Sequence, residues 1–128
     1  MNITKVFSPY GFQETRLRIL EAVKAHSLVL FAEFDHARAA EDRGLYLPPA
    51  TVLVFGNPQA GTPLMYRHPE LALDLPFRVL ISEPSQGTVW VGFHPAEQLA
   101  VYGLEDAAIQ GLKKLETWVC ESLCNNTL

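Results

Sequence analysis

Long apolar runs, cysteine and positive charge are all scarce in this chain of 128 residues. Its uninterrupted apolar stretches, such as Leu28 to Ala32 and Val52 to Phe55, are strand-sized. They fall far short of the roughly 18 residues that would read as a membrane span. The amino terminus, Met1-Asn2-Ile3-Thr4-Lys5-Val6-Phe7, has no charged n-region ahead of an apolar stretch of signal-peptide length. The expectation is therefore a cytoplasmic protein with no membrane partner. Lys and Arg number 10 against 14 Asp and Glu, for a formal net charge of −4. Basic residues spread this thinly argue against a nucleic-acid partner. The two cysteines, Cys120 and Cys124, stand four apart in a segment with helical periodicity, where a disulfide would strain the helix. With no His or Cys pair beside them they offer no zinc set, so they read as ordinary thiols and no metal is expected.

What the chain does have is apolar content, 48% of its residues. A length of 128 builds one domain over residues 1–128, burying roughly two-thirds of its unfolded surface without disulfide or metal. Ile3 to Phe7 reads as a strand, and Ser8-Pro9 opens a helix to about Ala25 with Leu17, Leu20 and Val23, and Ile19 beside them, as its apolar stripe. Leu28 to Phe34 reads as a largely buried strand. Asp35 caps a short Ala-rich helical turn that Gly44 closes. Thr51 to Phe55 is a third strand. The prolines at 58, 63, 69 and 76 exclude a long helix between Gly56 and Pro76. Asn57-Pro58, Thr62-Pro63 and His68-Pro69 instead suggest a chain of short capped turns.

Phe77 to Glu83 and Thr88 to Phe93 alternate apolar and polar residues around Pro84-Ser85-Gln86-Gly87, the pattern of an antiparallel hairpin. His94-Pro95 leads back into helix. From about Glu105 to Leu123, Ala108, Leu112, Leu115 and Val119 recur at helical spacing. Strand, helix, four strands, helix describes a two-layer α+β domain, with helices covering a mostly antiparallel five-stranded sheet.

Three segments carry a resemblance to a known family. They are Phe31-Ala32-Glu33-Phe34-Asp35-His36-Ala37, then Phe55-Gly56-Asn57-Pro58-Gln59-Ala60-Gly61-Thr62-Pro63-Leu64-Met65, then Leu73-Asp74-Leu75-Pro76. Together they resemble the domain-of-unknown-function 302 family over roughly residues 8 to 105. The resemblance implies a β-α-β4-α fold related in shape to the TATA-binding-protein-like folds, and it implies no activity. The sequence departs from the family pattern at Phe34, where isoleucine is usual, at Leu47-Pro48, where an arginine is missing, and at Phe93, where tyrosine is expected.

Two constellations stand out. Asp35-His36 lies where a strand hands over to a helix, so His36 is the candidate general base and Asp35 its neighbouring carboxylate; as plain structure, Asp35 is a helix cap. Gly56-Asn57-Pro58-Gln59-Ala60-Gly61-Thr62 has the outline of a phosphate loop without its lysine, and Pro58 and Pro63 remove two donors. Asn57 and Thr62 could hold a small anion there, or merely cap, with Gly56 and Gly61 supplying unusual backbone angles.

His26, His36, His68 and His94 show no metal-ligand spacing, and His26 suits a helix carboxyl end. Asp74, between leucines, is expected to bind backbone donors of the preceding turns. The sequence thus supports a non-enzymatic module, acting as a homodimer, that binds a small anion or metabolite through Asp35, His36, Asn57 and Thr62. Met65 and Tyr66 or an open sheet face would supply the dimer contact. The alternative is a small enzyme with His36 as base and the Asn57–Thr62 loop stabilising an anion. No cofactor is indicated.

Overall fold

The computed structural model describes residues 2–124. In chain order the elements are β1 (Thr4–Phe7), α1 (Phe12–Ala25), β2 (Val29–Asp35), α2 (His36–Glu41), β3 (Ala50–Gly56) and α3 (Pro58–Arg67). A 3-10 segment, Pro69–Leu73, leads to β4 (Phe77–Ser85) and β5 (Thr88–Phe93), and a second, Ala96–Tyr102, leads to α4 (Asp106–Ser122). The five strands form one sheet in the order β1-β5-β4-β3-β2, with each neighbouring pair antiparallel. Strands β2 to β5 run as a meander. The chain reaches β2 from β1 by crossing the whole sheet, and α1 is that crossover.

Alternation decides which face is dry. Leu53, Phe55, Val79, Ile81, Val89, Val91 and Phe93 turn one way and pack with Ile19 and Val23 of α1 and Leu115 and Val119 of α4. A smaller cluster of Leu64, Leu71, Leu104 and Ile109 joins α3 and the two 3-10 segments to the start of α4. The domain is therefore a two-layer α+β fold, as its pattern predicts.

Four local expectations are corrected. Helix α1 starts at Phe12, because the Ser8 N–H still donates to the Val89 carbonyl, 2.9 Å away, and holds Ser8 on the sheet. Its hydroxyl turns inward to Thr15 Oγ1 at 2.6 Å, and the buried stripe becomes Thr15, Ile19 and Val23, with Leu17 left 53% exposed. Strand β2 is an exposed edge and not a buried strand, since the crossover deposits it at the end of the sheet, where β3 is its one neighbour among the described residues. Helix α3 runs unbroken through Pro63. The only intrahelical bond a proline at that site forfeits is to the carbonyl of Gln59, whose residue is exposed to water. Gly56 and Gly61 do not have positive φ. A side chain at Gly56 would stand 3.4 Å from Pro76 Cβ, an ordinary contact.

Candidate functional site

Helix caps account for two of the four residues predicted to form a site. Asp35 Oδ1 accepts the Arg38 N–H at 2.9 Å, and Asn57 Oδ1 accepts the Gln59 N–H at 3.0 Å. The Asn57 carbonyl also takes the N–H groups of Ala60 and Gly61, at 3.1 and 2.9 Å. The start of α3 has thus already spent its donors within the chain, which removes the basis for an anion at Asn57–Thr62.

Asp35 and Asn57 also stand at opposite ends of β3. Asp35 pairs with Thr51, whereas Asn57 follows Gly56, which pairs with Val29. At about 3.3 Å per residue, about 20 Å of strand separates them. One chain does not bring Asp35 and His36 together with Asn57 and Thr62. His36 is exposed in the first turn of α2, and the carboxylate beside it is engaged by Arg38.

A concavity lies at the Asn57 end. A cleft of about 790 Å³ opens between α3, the Ala96–Tyr102 segment and α4, with the ends of β3 and β4 as its floor. Leu64 and Met65 line it from α3, Leu99 from the 3-10 segment, Leu112 and Leu115 from α4, and Phe77 from β4. Phe31 borders it from β2, and Leu28 from the residue just before that strand. The 3-10 wall is braced to α4 twice. Ala96 N–H donates to Glu116 Oε2 at 2.6 Å, and Lys113 Nζ meets Glu97 Oε1 at 2.6 Å. That contact holds the Glu97 carboxyl below its usual range and the Lys113 ammonium above.

Arg67, Arg78, Gln98, Glu105 and Lys114 also reach the lining, and three further polar features there are held by contacts within the chain. His26, the C-cap of α1, stacks on Trp118 with ring centroids 3.8 Å apart and planes 11° from parallel. His94 Nδ1 lies 3.0 Å from the Asn2 carbonyl oxygen. Tyr102 donates its hydroxyl to Asp74 Oδ2, so Asp74 serves a phenol and not the preceding turns. Leu73 beside it is exposed, not buried. The hydrogen bond, then burial, then the Asp74 charge push the Tyr102 phenol above its ordinary range.

Of the predicted site residues, Asn57 alone lines the cleft, while Asp35, His36 and Thr62 do not. Sequence reasoning passed over Tyr102, Trp118 and Gly111. A partial signal was Gly111 itself, a glycine interrupting a strongly periodic helix. No side chain there would meet an atom within 4 Å, and the position faces the cleft. Among the described residues, no group of three His, Cys, Asp or Glu is arranged to hold a metal, and no helix is long and apolar enough to cross a membrane.

Known proteins bear on this architecture at three levels. Two fluoride-specific ion channels named FluC 1, from Brucella suis biovar 1 (strain 1330) and Brucella abortus biovar 1 (strain 9-941), are each 37% identical over 98 residues. The match takes in 77% of this chain but only 39% and 36% of theirs, so the chain spans less than two-fifths of these relatives. The crystal structure of an uncharacterized conserved DUF302 protein from Bacillus stearothermophilus superposes with a TM-score of 0.78, covering 96% of both chains at 20% identity, and so shares the fold. The model of the domain of unknown function DUF302 matches residues 4–120. The chain is therefore a member of the DUF302 family.

Proposed function

We propose that this protein is a non-enzymatic ligand-binding domain whose site is the cleft between α3, the Ala96–Tyr102 segment and α4. The cleft carries the reading: it has the volume of a small-molecule site, apolar walls and a few fixed polar groups, the usual make-up of such sites. Gly111 supports it. A glycine inside a helix costs roughly 0.5–1 kcal/mol relative to alanine. Here no neighbour demands one, so what its missing side chain preserves is open space above the cleft. The ligand has an apolar body, with the Tyr102–Asp74 pair and the His26–Trp118 stack as its polar and aromatic contacts.

The enzymatic reading is the weaker one. His36 has no orienting carboxylate free beside it and lies about 20 Å from the loop meant to hold an anion. The relatives named as fluoride channels, of which this chain matches less than two-fifths, suggest a second role, as a domain linked to a fluoride channel. Sodium fluoride and sodium chloride therefore join a panel of small metabolites in a thermal-shift test on the wild type and on Gly111→Phe, which fills the cleft from a site with room for a side chain. The expected result is at least one organic ligand that raises the melting temperature of the wild type and not of the variant. A panel without effect on the wild type, or a shift equal in both proteins, contradicts the cleft. A shift with fluoride alone, equal in both, favours the channel-linked role.

A further inference from the structure

We infer that β2 is the surface on which a second copy of this chain pairs, joining two five-stranded sheets edge to edge. The inference goes beyond the cleft reading, with which the edge shares only Phe31.

An edge strand presents unpaired N–H and C=O groups, and proteins usually guard it with lysine, proline or an inward charge. Strand β2 is seven residues long and contains neither lysine nor proline; its one irregularity is a register shift at Leu30/Ala32, and from Ala32 to Asp35 its pairing with β3 is regular. Its two acids are already engaged within the chain. Glu33 is held by both Arg16 Nε and Nη2, at 2.5 and 2.8 Å, and Asp35 caps α2. Glu33 and Asp35 share a face with Leu53 and Thr51 of β3, on the helix side of the sheet. Glu33 is neutralised by its ion pair, and the remaining charge on the strand, Asp35, stands at its carboxyl end.

The apolar surface is concentrated at the same place. Among the described residues, thirteen large apolar side chains are more than 40% exposed, and seven of them belong to this edge. Val29, Leu30, Phe31 and Phe34 stand on the strand itself. Leu45, Tyr46 and Leu47 follow in the loop that returns α2 to β3, beside the carboxyl end of the strand. With exposures from 41% to 85%, these side chains offer on the order of 600 Å², and the strand backbone adds to that, against the roughly 800 Å² per partner of a stable interface. Antiparallel pairing of β2 with its own copy is isologous: a two-fold axis gives every residue of the edge the same partner in both directions and closes the assembly at two. A helix or a compact domain surface cannot satisfy the strand's backbone groups in this way. The β1 edge has four residues, and its Lys5 ammonium lies 4.4 Å from the Trp90 ring centroid, so it is shorter and carries a charge.

Sedimentation velocity tests the pairing, with Phe34→Lys and Leu30→Lys placing guard charges on exposed positions of β2 and Tyr66→Lys charging an exposed residue of α3. The wild type should sediment at twice 14.3 kDa, the two β2 variants at half that mass, and Tyr66→Lys as the wild type does. Hydrogen exchange on the unmodified protein gives a second reading that needs no variant: pairing protects the amides along β2 throughout, whereas a free edge exchanges every second one rapidly. A wild type that is monomeric overturns the inference and leaves the edge to an extended peptide of another protein. A dimer that survives both lysines, or that Tyr66→Lys breaks, overturns it also.

Discussion

Tyr102 and Asp74 form the most distinctive polar contact of the cleft, and the chemistry of the pair is open to direct titration. A phenol that donates to a carboxylate loses that bond on ionisation and gains a repulsion, so its protonated form is favoured. The absorbance of phenolate should therefore show one tyrosine ionising above the ordinary value of about 10, and Asp74→Asn should return it toward that value. The sign follows for stability: with its folded-state pKa raised, the phenol contributes stability below the unfolded value, and that contribution fades as pH climbs through the folded one. Four tyrosines that ionise together, unchanged in the variant, would show that the contact does not form in solution. At this scale the caps were legible, since Asp35 and Asn57 each precede a helix with a side-chain acceptor in place. Tyr102 was not legible, because its partner is 28 residues away and no local pattern joins them.

Helix α1 shows how an element can be legible while its rotation is not. Leu17, Leu20 and Val23 have the spacing of a buried stripe, yet the inward turn of Ser8 and its bond to Thr15 bring Thr15, Ile19 and Val23 to the sheet. The contrast is measurable by urea unfolding. Ile19→Ala, at a position with no exposure, should cost about 2–5 kcal/mol. Leu17→Ala, at 53% exposure, should stay within about 0.5 kcal/mol. Equal losses would mean that the helix is turned as its apolar spacing suggests. Strand β2 makes the same point. Its apolar run identified a strand, but a buried and an edge strand read alike until the sheet order is known. Pro63 was read as a stop because proline forfeits a helical bond, and α3 accommodates it where the orphaned carbonyl belongs to an exposed residue.

The whole molecule was legible in outline, because alternation in β4 and β5 and the helical stripe of α4 are strong local signals and together dictate two layers. The cleft was not. Its walls come from α3, a 3-10 segment, α4 and the ends of two strands, brought together by the second apolar cluster around Leu71 and Leu104 and by the bonds of Ala96 and Glu97 to α4. The sequence drew attention to Asp35-His36 and Asn57–Thr62 because polar turns are conspicuous in an apolar chain. The fold spends two of those residues on caps and sets the two turns at opposite ends of one strand. The most direct measurement of the central claim is a two-dimensional amide NMR titration of the protein with the ligand that the thermal-shift panel identifies. The account predicts shifts gathered on Gly61, Leu99, Tyr102, Gly111 and Trp118, around the cleft, with Asp35, His36 and Thr62 unmoved; shifts centred on Asp35 and His36 would contradict it.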